Sequence, residues 1–364
     1  MTAAGRGSRS LLILGIETSC DETAAAVVEG GRRVLSSAIA SQVADHRPYG
    51  GVVPELAGRK HLENLVPIVQ AALDEARVKP ADLGAVAVTS SPGLMGALLV
   101  GTSFGKALAM GWGLPLIEVN HLHAHALAIF LGTARPRLPY LALVVSGGHT
   151  TLFRVNSPLD LTILGQTRDD AAGEVLDKVA KFLGLGYPGG PQIDRLAAGA
   201  NPAAVRFPRG LARAATLDFS FSGLKTAVVN HVLGTSRLDG RLNHQQPPPI
   251  PEGELRDLAA SFLEAVVDTL VAKALRAARE QGLSTVVVSG GVAANTRLRE
   301  KMAHEGRAAG LRVLFPERDL CADNAAMIAG AAWHLAREKR FAGLDLRPCA
   351  KMKPLSAQRG PAGP

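Results

Sequence analysis

The chain has few cysteines and few aromatics. Its three cysteines, Cys20, Cys321 and Cys349, are odd in number and nowhere spaced as Cys-x-x-Cys. That argues against a disulfide framework and a zinc ribbon and fits a reducing cytoplasm. Aromatics make up 4% of the residues against 47% hydrophobic, so the cores must be built from Val, Leu, Ile and Ala. Buried α/β sheets under alanine-rich helices have that composition. No membrane segment is legible. Residues 83–105 are uncharged over a sufficient length, but Thr89, Ser90, Ser91, Pro92, Thr102, Ser103 and several glycines interrupt them. Residues 11–14 are too short for the apolar part of a signal peptide. Neither Gly-x-x-x-x-Gly-Lys-[Ser/Thr] nor a strand followed by Gly-x-Gly-x-x-Gly occurs, which disfavours a P-loop ATPase and a Rossmann dinucleotide site.

What is present is 364 residues, enough for two domains, with 40 basic against 32 acidic side chains. The formal charge of +8 favours an anionic partner, nucleic acid foremost. The densest chemistry lies in Asn120-His121-Leu122-His123-Ala124-His125. His121 and His125 are one helical turn apart, so a helix stacks both imidazoles on one face, where they can grip one metal ion. His123 projects to the other side. The pattern matches the zinc-protease motif His-Glu-x-x-His only in part, because Leu122 stands where the glutamate base belongs. Peptide hydrolysis by that route is disfavoured; metal binding is not. A carboxylate would complete the facial set of ferrous iron sites, with zinc as the alternative. Asp323 is a candidate, and capping its own helix is the other use for it.

Two strand–turn–strand units lie about half a chain apart. The first runs through residues 11–28 with a polar tip at Glu17-Thr18-Ser19-Cys20-Asp21-Glu22-Thr23; the second runs through residues 140–155 with the turn Ser146-Gly147-Gly148-His149-Thr150. The repetition predicts a duplicated architecture. Residues 55–79 read as a helix with Leu62, Leu65, Val66, Val69 and Leu73 inward and a kink at Pro67. A buried strand follows at residues 85–89, with Ser91 as N-cap and Pro92 at the first position of the next helix. Val175, Leu176, Val179, Phe182 and Leu183 mark a helical face that ends in the turn Tyr187-Pro188-Gly189-Gly190-Pro191. Residues 234–251 lack periodicity and read as a Pro-rich mobile loop. A long helix follows, with Leu255, Leu258, Phe262, Val266 and Leu270 inward, then a strand at 285–289, a helix from about Asn295 and a last one opened by Asp323.

Glycine turns at residues 146–150, 189–190 and 289–295 let backbone N–H groups approach phosphate or ribose, and several in one α/β chain point to a nucleotide cleft. Asp177 and Asp194 flank one of them and suit ribose hydroxyls, or form part of a solvated face. Basic clusters at Arg59-Lys60-His61 and residues 206–213, with Lys225, suit phosphates if they act together and a solvated surface if they do not.

Gly15-Ile16-Glu17-Thr18-Ser19-Cys20-Asp21-Glu22-Thr23, Tyr49-Gly50-Gly51-Val52-Val53-Pro54-Glu55-Leu56-Ala57, Val145-Ser146-Gly147-Gly148-His149-Thr150, Asp218-Phe219-Ser220-Phe221-Ser222-Gly223-Leu224-Lys225-Thr226 and Cys321-Ala322-Asp323-Asn324 together resemble the bacterial tRNA N6-adenosine threonylcarbamoyltransferase family, once labelled O-sialoglycoprotein endopeptidases. The similarity runs in order from about residue 12 to 348. It implies an α/β, duplicated two-lobed fold of the actin, sugar-kinase and Hsp70 type with a central nucleotide cleft. On that fold residues 1–10 are a disordered tail, 11–136 the N-terminal lobe, 137–345 the C-terminal lobe and 346–364 a second tail. The implied activity is transfer of a threonylcarbamoyl group from threonylcarbamoyl-AMP to N6 of the adenosine 3′ of the anticodon, in tRNAs reading codons that begin with A. The resemblance makes His121, His125 and Asp323 ligands of one divalent metal, iron(II) before zinc. It makes Val144, Val145, Ser146, Gly147, Gly148, Asp177, Gly190, Asp194 and Asn295 the residues that bind the adenylate. It further implies tRNA, a smaller paralogous subunit (TsaB-like) and an ATPase (TsaE-like) as partners, and a cytoplasmic location. The family usually has an acidic residue where this chain has His123. No catalytic base is assigned; Glu17 or Asp21 would serve if the first turn reaches the reacting atoms. The competing readings are an ATP-binding scaffold without chemistry and, disfavoured, a metallopeptidase.

Overall fold

The computed structural model describes residues 11–211, 214–234 and 247–352. The N-terminal tail reading lies wholly, the C-terminal one partly and the Pro-rich loop mostly outside those residues. The chain opens with β1 (Leu12–Glu17), β2 (Glu22–Glu29) and β3 (Arg33–Ser41). A short α1 (Val43–His46) precedes α2 (Pro54–Ala76), β4 (Ala85–Ser91), α3 (Met95–Trp112), β5 (Leu116–Asn120) and α4 (His121–Leu127). Then come β6 (Tyr140–Val145), β7 (Thr150–Ser157) and β8 (Asp160–Gln166), followed by α5 (Ala172–Phe182), α6 (Gly189–Ala197), α7 (Ser222–Leu233) and α8 (Glu252–Glu280). The described chain closes with β9 (Thr285–Ser289), α9 (Thr296–Ala308), β10 (Arg312–Leu314) and α10 (Ala325–Arg337). Among the described residues no helix is long and apolar enough to cross a membrane.

Contacts divide the chain into two units. Unit 1 comprises Met1–Gln42, Val53–Thr133 and Asp323–Pro364; unit 2 comprises Val43–Val52 and Ala134–Ala322. The sequence reading ran the C-terminal lobe through residue 345, whereas α10 packs on β1 and β2 of unit 1. Gly15 makes this possible. A Cβ there would stand 2.3 Å from the Ala325 carbonyl oxygen, so only glycine lets the Ala-rich helix lie this close to the strand. Part of the expected C-terminal tail is also bound to unit 1: Cys349 N donates to Ser90 O, and Ala350 O accepts from Gly93 N.

The sheet of unit 1 has the order β3-β2-β1-β4-β5, and that of unit 2 the order β10-β9-β6-β7-β8. In each, three antiparallel strands come first, and two later strands join parallel to the first of them. The duplication read from two hairpins therefore extends to whole sheets. Strands β1, β4, β6 and β9 are buried along almost their full length, as parallel neighbours covered by helices must be.

Four local expectations are corrected. Leu62 and Val66, read as inward, are 66% and 64% exposed, and α2 buries Ala57, His61, Leu65, Val69, Ala72 and Leu73 instead. Ser91 does not cap a helix; it ends β4, and α3 begins at Met95 with Leu94 as N-cap. Gly189 and Gly190, read as a turn, are the first two residues of α6. Asp323 does not cap α10, because Asn324 does so by accepting from Met327 N at 2.9 Å.

Candidate metal centre and nucleotide turns

In unit 1, β5 runs straight into α4. Asn120 caps that helix, its Oδ1 accepting from Leu122 N at 3.0 Å and His123 N at 3.1 Å. The cap fixes where the first turn starts, and with it the facing of His121 and His125, whose ring centroids are 4.6 Å apart. Asp323, released from capping, reaches the pair. Its Oδ1 lies 3.0 Å from His125 Nε2 and 3.5 Å from His121 Nε2. One ligand atom from each of the three residues lies within 4.8 Å of the others, so the set could hold a metal ion. His123 is buried on the same helix but outside this set.

The other nitrogen of His121 is also held. Its Nδ1 lies 2.9 Å from Glu17 Oε2, and Ser19 Oγ is 3.2 Å from the same nitrogen. Since a carboxylate only accepts, Nδ1 donates its proton to Glu17, and Nε2 faces Asp323, which favours a second proton there, the one a bound metal ion would replace. A carboxylate behind a ligating histidine is the arrangement that orients such rings in metal sites, so the donor set fits a divalent ion on its own chemistry. Glu17 further accepts from Thr89 Oγ1 at 2.7 Å and from Ser19 N. With both its oxygens engaged, Glu17 serves His121; it is not placed as a free base. The sequence signal for this role was the acidic, hydroxyl-rich turn at the end of a buried strand.

Electrostatics separate the histidines. Burial opposes charge on His121, yet the carboxylates of Glu17 and Asp323 outweigh it and hold its pKa up at about 9. Burial likewise opposes charge on Glu17, and the His121 cation more than offsets it, leaving that carboxyl below its usual range. Burial lowers His125, and it pushes His123 down to about 4. Burial thus keeps the His123 ring neutral near pH 7. Burial and the neighbouring Asp21 carboxylate push Glu22 up to about 10.

In unit 2, Val144 and Val145 end β6, and Ser146 begins a turn closed by its N–H donating to His149 O at 2.8 Å. Gly147 and Gly148 are exposed at the tip. Gly173 N of α5 donates to Ser146 O at 3.2 Å. Asp177, also on α5, accepts from Gly189 N at the start of α6 at 2.7 Å. Asp194 on α6 accepts from Thr296 N at 3.1 Å, and Asn295 caps α9 by accepting from Leu298 N at 2.9 Å. Gly290, at φ +91°, passes so near β6 that a Cβ would lie 2.3 Å from Val145 O. The residues expected to bind adenylate therefore form one hydrogen-bonded series from β6 through α5 and α6 to α9. Both aspartates brace helix starts within it.

The basic clusters divide among several local roles. His61 is fully buried, Lys60 pairs with Glu63 at 3.1 Å, and Arg209 is bound to Asp268 at 2.5 Å. Residues 212 and 213 lie outside the described residues.

A family model described as TsaD: tRNA N6-adenosine threonylcarbamoyltransferase matches residues 33–330. The tRNA N6-adenosine threonylcarbamoyltransferase of Anaeromyxobacter dehalogenans (strain 2CP-C) is 54% identical over 338 residues, covering 92% of this chain and 97% of that protein. The protein of the same name from Geobacter metallireducens is 54% identical over 319 residues, covering 88% and 90%. Among solved structures, the HypF of T. kodakarensis matches with a TM-score of 0.60 at 14% identity over 91% of this chain and 48% of its own. Component A of (R)-2-hydroxyglutaryl-CoA dehydratase from Acidaminococcus fermentans matches with a TM-score of 0.51 at 14% identity over 90% and 100%. At such identities the structures show the fold alone, and that fold is the duplicated α/β type of the actin, sugar-kinase and Hsp70 class.

Proposed function

The chain belongs to the tRNA N6-adenosine threonylcarbamoyltransferase family, and from that membership we propose that it transfers a threonylcarbamoyl group from threonylcarbamoyl-AMP to N6 of the adenosine 3′ of the anticodon, in tRNAs reading codons that begin with A. The observation that carries this reading is identity above one half across nine-tenths of the chain to transferases of that name. The donor set of unit 1 and the hydrogen-bonded turns of unit 2 supply parts that the reaction needs.

Adenine N6 is a poor nucleophile because its lone pair is delocalised into the ring, so the acyl donor must be activated. In the mixed anhydride with AMP, N6 attacks the carbamoyl carbon, the new C–N bond forms, and the C–O bond to phosphate breaks with its electron pair leaving on AMP. The nitrogen then sheds a proton. His121, His125 and Asp323 would hold one divalent ion, iron(II) before zinc. When bound, such an ion supplies positive charge that polarises a carbonyl. Glu17 and Ser19 keep the His121 ring turned so that Nε2 is available. Val144, Val145, Ser146, Gly147, Gly148 and Gly190 offer backbone to the AMP half, and Asp177, Asp194 and Asn295 fix the helix starts that shape its pocket.

The partners in this reading are tRNA, a smaller paralogous subunit and an ATPase, and the location is cytoplasmic. An apolar surface supports the paralogue. Helices α2 and α3 pack against each other and expose Leu62 and Val66 on one, Met95, Leu99 and Met110 on the other. Exposed large apolar side chains on neighbouring helices suit a protein contact.

The test is reconstitution: the chain with tRNA, threonine, bicarbonate, ATP and the companion proteins, followed by digestion and nucleoside mass spectrometry. Threonylcarbamoyladenosine should form only when the chain is present. Its absence despite a demonstrated supply of adenylate would reject the reading.

A further inference from the structure

His61 lies on the buried face of α2, with no exposed surface. Its Nε2 is 3.0 Å from the Cys20 carbonyl oxygen, and its Nδ1 is 2.8 Å from Thr23 Oγ1. A carbonyl only accepts, so Nε2 carries the proton. Nδ1 then accepts from the Thr23 hydroxyl, with the Gln42 amide at 3.4 Å as a second donor. One tautomer satisfies these three contacts.

The Cys20 carbonyl belongs to the turn that carries Glu17 and Ser19 to His121. Three successive carbonyls of this turn are tied to three different elements. Ser19 O accepts from Leu94 N at 2.8 Å, just before α3, and Asp21 O accepts from Gln42 N at 3.0 Å. Those two bonds are backbone to backbone. The middle one, to Cys20, is made by a side chain, so among the three it alone depends on residue identity.

We propose that His61 is a positioning residue for the metal centre: through the Cys20 carbonyl it sets the turn that aims Glu17 at His121. This rests on the reading of His121, His125 and Asp323 as a metal site. Glu17 is the outer-shell contact, whose loss typically costs roughly 10- to 100-fold in metal affinity; His61 acts one step behind it, so its loss should fall at the lower end of that range.

The test uses the full chain and Co(II), titrated anaerobically and followed by visible absorption. H61L should bind Co(II) more weakly, by up to roughly 10-fold, with a shifted spectrum. H61Q keeps an N–H of similar reach and should remain close to the wild type, with T23V between them. In the reconstituted reaction H61L should lower kcat and leave KM for tRNA unchanged. Wild-type affinity and spectrum in H61L overturn the proposal, and so does an H61Q as weak as H61L, since the bond to Cys20 would then not be what matters. If H61L fails to fold by circular dichroism, T23V decides: weaker Co(II) binding supports the proposal and unaltered binding overturns it. A wild type that takes up no Co(II) removes the metal reading itself, an outcome distinct from a loaded wild type with indifferent variants.

Discussion

The end of β1 and the loop after it bring Glu17 and Ser19 to a buried histidine, whereas the corresponding loop after β6 brings two exposed glycines to the surface of unit 2. The strand order is the same in both units, and so is the point at which the chain turns. What differs is the side-chain load. Unit 1 spends its turn on carboxylate and hydroxyl groups that hold a ring in place; unit 2 keeps its turn nearly bare, so that backbone is what a ligand meets. One architecture thus carries, in unit 1, side chains that could hold a cation and, in unit 2, bare main chain of the kind that suits an anion.

The sharpest way to break this contrast is to empty one side at a time. Asp323→Ala removes the carboxylate that both Nε2 atoms face. Its effect on bound iron or zinc should exceed the roughly 10- to 100-fold cost of an outer-shell change, with AMP binding unaltered. Asp177→Ala should do the reverse, freeing Gly189 N and weakening AMP binding while metal content stays whole. Metal analysis and calorimetric titration with AMP on the same preparations check both. If either variant lost both ligands, the division of labour would fail.

Glycine offers a second contrast. Gly15→Ala places a methyl 2.3 Å from Ala325 O and 2.8 Å from Ala329 N, both backbone atoms that cannot give way. Overpacking of this kind costs about 1–3 kcal/mol, and here it pushes on the helix that follows Asp323, so metal affinity should fall with the unfolding midpoint. Gly147→Ala meets nothing within 4 Å. Its stability should change by no more than about 0.5 kcal/mol, and its effect should be read in AMP binding alone. Thermal unfolding of the two variants side by side tests the difference.

How much of this was legible in the sequence follows from how local each signal is. The His121–His125 spacing and the two hairpins are local, and the structure has both. The third strands β3 and β8 escaped notice because their exposed, polar alternation resembles loop. Leu62 and Val66 were taken for core because periodicity identifies a stripe but not which apolar residues a neighbour covers; α2 buries His61 in their place. Asp323 was undecided between capping and ligation, and only the fold shows that Asn324 takes the cap. The ties of Glu17 to His121 and of Asp323 to His125 span 104 and 198 residues, beyond any pattern of spacing.

The smallest effect concerns how each unit is fastened. In unit 2, Glu264 on α8 binds Arg297 at 2.7 Å and Lys301 at 2.6 Å, both on α9, and Lys301 also reaches Asp268, which holds Arg209. In unit 1, away from the histidines, Arg33 pairs with Glu29 and Lys60 with Glu63 at the surface. Hydrogen bonding by Arg297, against the opposing effect of burial, and the bond from Lys301 bring Glu264 down to about 2. A carboxyl lowered in the folded state contributes stability that is fully present above its unfolded value near 4.5 and is lost as pH falls through about 2. Glu264→Gln should therefore cost on the order of 1–2 kcal/mol at pH 7, allowing for solvent screening at the rim of the network, and progressively less between pH 4.5 and 2. Hydrogen exchange resolved by segment should place the loss in α8 and α9 and leave β1 and α10 unaffected. An equal cost at pH 7 and pH 3 would mean that Glu264 acts by shape and not by charge, and the two units would then be fastened alike.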